Sequence, residues 1–341
     1  MLVCCAVTLR PKGATVWSRR WIGVAGAGAV AAATAAAVVL ATGAVAAPAP
    51  GVPGPVSGSA TATTRQAVAP QVPQAPQAPA GPVVALGDSY TAGDILPLSL
   101  TSRPLGCLRS PKSYPAQVAK ALGAELVYAA CGGAGVKEMT QAQSTYLGTN
   151  PPQLNALAPD DRLVMLTLGG DDMGFLNVLD ECMKLSITNP FGSPCESHYT
   201  SGGTDQLAAR VTAEVPRLAA VLDAIRARAP GARVLVVGYP DMFPQQGGCW
   251  PAVPITAGDV AYLRGIEARI NGMLAQAAAA AGDTFVDTYT PTTGHDFCQD
   301  AKARDVEGLI PGSLTAPFHP NPRGQASMAA AILAALGTEA A

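Results

Sequence analysis

Five apolar, β-rich runs punctuate the chain, at Val83–Leu86, Glu125–Ala129, Arg162–Leu168, Arg233–Val237 and Thr284–Asp287. Between them lie Ala-, Leu- and Arg-rich segments of helical period near Tyr114–Leu122, Asp205–Ala229, Ala257–Ala281 and Gly324–Leu336. Strands that are apolar at successive positions are buried on both faces. Their alternation with helices therefore predicts an α/β fold, a single three-layer α/β/α domain with a five-stranded, mainly parallel sheet over residues 82–338. Three long connections, at 96–112, 182–203 and 240–254, hold cysteines and read as tethered walls of a site. No internal repeat is evident.

The first 81 residues have a different chemistry. Arg10, Lys12, Arg19 and Arg20 precede an uncharged Ala/Gly/Val run that ends in Ala44-Val45-Ala46. A basic region, an apolar region and an A-x-A site define a signal peptide over residues 1–46, with twin-arginine and Sec export both open at Arg19-Arg20. A retained membrane anchor is the alternative, weakened because alanine and glycine partition into lipid less well than leucine. Residues 47–81 are Pro, Ala, Gln, Gly and Thr without aromatic side chains or periodicity, the composition of a disordered linker.

Removing the leader's four bases leaves 18 cationic against 24 acidic side chains, a formal −6 with no basic stripe, which argues against a nucleic-acid partner. Six cysteines remain: Cys107, Cys131, Cys182, Cys195, Cys249 and Cys298. An even set in an exported chain reads as three disulfides. Fifteen pairings are open, and order along the chain favours 107 with 131, 182 with 195 and 249 with 298. A zinc site is disfavoured by the lack of any C-x-x-C pair and by only three scattered histidines.

In open α/β sheets ligands bind beyond the carboxyl ends of the strands. Four stretches fall there: Gly87-Asp88-Ser89, "CGGAG" from Cys131, "GGDD" from Gly169, and the "FHPNPRGQ" stretch containing His319. Gly-Asp-Ser alone is a weak motif. Ser89 reads either as a helix N-cap or as a nucleophile presented where helix amides can stabilise negative charge. The G-x-S-x-G elbow is not met, because Thr91 stands at its second glycine.

Taken in order, these blocks and the cysteine spacing resemble the SGNH family of GDSL-type esterases and lipases, in particular its secreted, three-disulfide actinobacterial branch. The likeness spans about residues 83–335. It implies the flavodoxin-like SGNH-hydrolase fold and a serine hydrolase that cleaves lipid or short acyl esters through an acyl-enzyme, without metal or organic cofactor. Ser89 would be the nucleophile, His319 the general base and then acid. The oxyanion hole would comprise the Ser89 and Gly133 amides and the third residue of the GGxD block. The expected partner is a small ester or lipid substrate, and the expected state a secreted monomer with no membrane span once the leader is cut.

Two positions depart from the family pattern. The third residue of the GGxD block, normally asparagine, is Asp171, and the position three before the histidine, commonly aspartate, is Ala316. An ionised carboxylate repels an oxyanion, so Asp171 must be protonated, turn away, or mark a protein that binds an acylated ligand without turnover. With no aspartate at 316, the backbone carbonyl of Ala316 is expected to orient His319, with Asp296, Asp300 or Asp305 as substitutes. Asp88 reads as a turn residue and Asp172 as the cap of a helix at Met173. His198 reads as solvated. His295, Phe243, Trp250 and Phe318 are pocket candidates, with core packing the simpler role for the aromatic residues.

Overall fold

The computed structural model describes residues 81–337. The expected leader and all but Gly81 of the expected linker lie outside the described residues. The chain runs β1 (Val83–Gly87), α1 (Ser89–Ala92), α2 (Tyr114–Leu122), β2 (Leu126–Tyr128), α3 (Lys137–Thr140), a small hairpin of β3 (Gln143–Thr145) and β4 (Gly148–Asn150), β5 (Leu163–Thr167), α4 (Phe175–Thr188), α5 (Pro194–Thr200), α6 (Gln206–Arg228), β6 (Arg233–Val237), α7 (Ala257–Ala281), β7 (Thr284–Val286) and α8 (Pro322–Ala335).

The main sheet has the order β2-β1-β5-β6-β7, and every pairing is parallel. β1 lies between β2 and β5, with Val83 opposite both Leu126 and Leu163. The chain first moves outward from β1 to β2 and then crosses back to β5. Connections therefore leave β1 and β5 in opposite directions, and the crevice beyond their carboxyl ends is the sheet's ligand-binding switch point.

Period-two alternation divides the strands between two cores. Val84, Leu86, Val164, Leu166, Val234 and Val236 pack with side chains of α4, α6 and α7. Val83, Leu163, Met165, Leu235 and Val237 pack with Tyr114 and Val118 of α2 and Met328 and Ile332 of α8. Burying each such side chain contributes about 1.5–3 kcal/mol, which is why the strands carry almost no polar residues.

The helix ends follow local chemistry. Thr256 caps α7 by accepting from the Asp259 amide, and left-handed Gly282 closes it. Asn321 caps α8 by accepting from the Arg323 and Gly324 amides. The expected loop 182–203 is corrected: α4 continues to Thr188, and α5 occupies Pro194–Thr200. The α4 face at 175, 178, 179, 182, 183 and 186 is buried, so Cys182 belongs to a helix rather than to a wall loop. Asp259 of α7 binds the first amides of α5, at 3.1 Å from Cys195 N and 3.0 Å from Glu196 N.

Disulfides join Cys107 to Cys131, Cys182 to Cys195 and Cys249 to Cys298. The first ties the long loop before α2 to the loop after β2, and the second clamps α5 on α4. Closing loops of these lengths stabilises the fold by roughly 3 kcal/mol each through the unfolded chain. Among the described residues, no helix is long and apolar enough to cross a membrane.

Candidate active site

β1 ends in a turn that only glycine can make. Gly87 has φ +122°, and a Cβ there would lie 2.2 Å from Thr167 O. Gln153 fixes this residue by accepting from its N–H at 2.7 Å and donating to its carbonyl at 2.9 Å. Asp88 follows as the N-cap of α1, its carboxylate accepting from the Tyr90 amide at 2.9 Å. The cap is thus Asp88, which leaves Ser89 at the first helical position with its hydroxyl uncommitted to the helix and its amide without an intrahelical acceptor.

That hydroxyl meets His319, with Ser89 Oγ 2.7 Å from Nε2 and both side chains buried. The other ring nitrogen, Nδ1, lies 2.7 Å from the carbonyl oxygen of Pro317. A carbonyl only accepts, so Nδ1 carries the proton and Nε2 is the acceptor facing Ser89. The expectation of an Ala316 carbonyl is therefore corrected to Pro317. Phe318 adopts φ +60° between Pro317 and His319, and this left-handed turn brings the Pro317 carbonyl onto the ring two residues on. Such a conformation in a bulky residue persists only where its surroundings over-determine it. Here Tyr90 Oη donates to Phe318 O at 2.7 Å, while Phe318 N donates to Glu307 O and Glu307 N to His319 O. Burial lowers the His319 pKa from its ordinary value, with the Pro317 hydrogen bond opposing in part. The ring is neutral and basic at neutral pH.

Asp171 lines the same pocket as Ser89 and His319. Its carboxyl makes no hydrogen bond or ion pair with any described residue, and burial, then Asp172 and Glu138, push its pKa up to about 6. Gly133 is not among the residues lining this pocket. It occupies a turn with φ +75° in which the amides of Gly132 and Ala134 are bound, to Cys107 O and Cys131 O, and its own is left without an acceptor among the described residues. Cys131 N donates to Gly87 O at 3.0 Å, so this turn is anchored on the strand end that carries Ser89.

Asp172 does not cap a helix. It accepts from Val136 N at 2.9 Å and pairs with Arg217 at 3.0 Å, joining the loop after β2 to that after β5, while left-handed Gly174 opens α4. Asp296 binds Cys298 N, and Asp305 binds Arg323 and Ser327; neither reaches His319, nor does Asp300. His295 lies against Ala303 O and Arg323, away from the pocket, and His198 is exposed. Phe243 and Phe318 are core, stacked edge-on with Phe297, and Trp250 is 47% exposed. The aromatic pocket residues are instead Phe175, Tyr90 and Tyr239.

Tyr239 is the residue that sequence reading missed at this edge. It directly follows β6 and Gly238, so the rule that directs attention to strand ends points to it as well. Its hydroxyl donates to Asp88 and accepts from Gly170 N at 2.8 Å, linking the loops after β1 and β5. Asn271 of α7 pins its backbone from both sides, at 2.8 and 2.9 Å. Removing the hydroxyl in Tyr239→Phe leaves the buried Asp88 oxygen and the Gly170 amide unpaired, and urea unfolding should register a loss of about 1–3 kcal/mol. Glu267, in the middle of α7, also lines the pocket. Its signal in the sequence is an acid in the apolar stripe Leu263, Ile266, Ile270 and Leu274.

Fold and site together define the class: a three-layer α/β/α protein with a hydroxyl–imidazole pair at the carboxyl edge of its parallel sheet, beside a pocket walled by apolar and acidic side chains. The GDSL-like Lipase/Acylhydrolase family matches residues 85–326, and the chain belongs to this family of ester hydrolases. It is similar to Lipase 2 of Streptomyces coelicolor, 39% identical over 261 residues that cover 75% of this chain and 86% of that protein. A phospholipase A1 from Streptomyces albidoflavus superposes with a TM-score of 0.60 at 28% identity, covering 75% of this chain and 98% of that one. The extracellular lipase of Streptomyces rimosus gives 0.59 at 28% identity, covering 75% and 100%.

Proposed function

We propose that this chain is a secreted serine esterase that cleaves lipid or short acyl esters through an acyl-enzyme. The observation that carries the reading is the 2.7 Å contact between Ser89 Oγ and the acceptor nitrogen of His319. Ser89 Oγ attacks the ester carbonyl as His319 Nε2 takes its proton, forming the Oγ–C bond. Collapse of the intermediate breaks the bond to the alcohol, which leaves with that proton. Water, deprotonated by the same nitrogen, then cleaves the acyl-serine and restores the hydroxyl.

The Ser89 and Gly133 amides, both without an acceptor among the described residues, and a protonated Asp171 would hold the oxyanion. The Pro317 carbonyl fixes the imidazole tautomer, the role an aspartate has in a triad, but contributes less charge to stabilise the imidazolium. Disulfides at three sites support an oxidising compartment, as does the similarity to a lipase described as extracellular. A second reading, a protein that binds an acylated ligand without turning it over, is favoured only by the unpartnered Asp171 carboxyl.

The test is a fluorophosphonate, whose phosphorus is attacked by an activated serine. Incubation should silence hydrolysis of p-nitrophenyl butyrate and add one phosphonyl group to the peptide containing Ser89, read by mass spectrometry. Hydrolysis that persists after full labelling, or label found elsewhere, would overturn the nucleophile assignment.

A further inference from the structure

We propose that Glu267 makes the pocket it shares with Ser89 and His319 selective for short acyl groups that carry a hydrogen-bonding function, such as 3-hydroxyacyl groups, over plain alkyl ones. The inference rests on the esterase reading of Ser89 and His319 and names the substrate class for that site.

The pocket is a narrow cavity of about 30 Å3. Its lining includes half-buried Asp171 and exposed Leu176, together with Met242, Glu267 and Ile270, which are almost wholly buried, Glu267 at 2% exposure. A long alkyl chain does not fit there. The acyl half of the ester stays on the serine, so a polar side chain of this lining is assigned to the acyl group.

A carboxyl so buried demands a partner. Glu267 Oε1 accepts from Met242 N at 3.1 Å. Oε2 is buried and has no partner among the described residues. Holding the Met242 backbone requires only one oxygen, so the second is unexplained by structure and is the polar atom left to meet an occupant. Burial, then Asp241 and Asp296, raise the Glu267 pKa well above its usual value, against the Met242 amide and Arg264, which lower it. Burial thus favours the protonated carboxyl, whose O–H can donate. An alkyl acyl group leaves that O–H unpaired, whereas a hydroxyl or carbonyl on the acyl chain accepts from it. Sites built to pair a substrate's polar group reject the analogue lacking it far more strongly than an apolar pocket rejects one extra methyl.

The experiment compares 3-hydroxybutyryl and 3-methylbutyryl esters, which differ by a hydroxyl in place of a methyl. For p-nitrophenyl esters the wild type should favour the hydroxyacyl substrate in kcat/KM by at least about tenfold after correction for spontaneous hydrolysis. Glu267→Gln, which keeps both the acceptor for Met242 and a donor, should retain that preference, and Glu267→Leu should reverse it. In parallel, binding of the two methyl esters to Ser89→Ala protein, with and without Glu267→Leu, is followed by ligand-detected NMR. A hydroxyacyl preference there that Glu267→Leu removes supports the proposal even if the wild type hydrolyses neither ester, a result that would sink the esterase reading alone. Equal or tighter binding of the 3-methylbutyryl ester to Ser89→Ala protein would overturn the proposal. So would a wild-type kcat/KM preference for that ester.

Discussion

Ser89→Ala and His319→Ala should each lower kcat/KM toward a short p-nitrophenyl ester by about 10⁴-fold or more, and the double variant should be no slower than the worse of the two. The expectation follows from the way the pair is built. Ser89 Oγ has no cap or helix to serve, because Asp88 takes that role, and its contact with His319 is at proton-transfer distance. A hydroxyl without its base is a poor nucleophile, and a base without its hydroxyl has nothing to activate, so the two act as one unit. Binding and oxyanion stabilisation survive either substitution and set the shared residual rate. Circular dichroism and urea unfolding of each variant separate lost chemistry from lost fold. Additive losses would mean that Ser89 and His319 act in separate steps, and losses below tenfold would place the chemistry elsewhere.

The sheet and its chemistry were legible to different degrees. Successive apolar residues in β1, β5 and β6 announced strands buried on both faces, and helices α2 and α7 were bounded correctly by their period. α5 was not legible: its first amides are held by Asp259, 64 and 63 residues away in the chain, and no local signal encodes that contact. Ser89 and His319 could be named from strand-end position and from family resemblance. The orienting carbonyl could not, because it depends on the positive φ of Phe318, which Tyr90 stabilises across 228 residues of sequence. Asp172 was misread for a similar reason, since its partners Val136 and Arg217 are distant along the chain. Positions at strand ends are thus readable from pattern, while roles fixed by long-range hydrogen bonds need coordinates.

Asp171→Asn should turn an acid-favouring enzyme into one that works in alkali. Asp171 lines the same pocket as Ser89, pairs with no cation among the described residues, and is raised to about 6 by burial and by its acidic neighbours Asp172 and Glu138. Below that pH the carboxyl is protonated and can donate to an oxyanion; above it the carboxylate repels one. His319 supplies the opposite limb. It must be neutral to act as base, and its lowered pKa keeps it so into mildly acidic solution. Activity should therefore rise with pH as His319 loses its proton below the ordinary histidine value, peak in mild acid, and fall tenfold per unit above about 6, leaving near 1% at pH 8 if only the protonated acid is competent. An amide donates at every pH, so Asp171→Asn should remove the falling limb and raise the rate at pH 8 by about 10²-fold, the usual worth of one oxyanion donor. The same change lifts a charge that also raises Asp88 and Asp94, the latter standing at about 8, so any shoulder near pH 8 should move downward as well. Stopped-flow hydrolysis of p-nitrophenyl butyrate from pH 4 to 9 reads both limbs. A profile unaltered by the substitution would remove Asp171 from the oxyanion site, and a uniformly lower rate would show that its carboxylate serves catalysis in its ionised form.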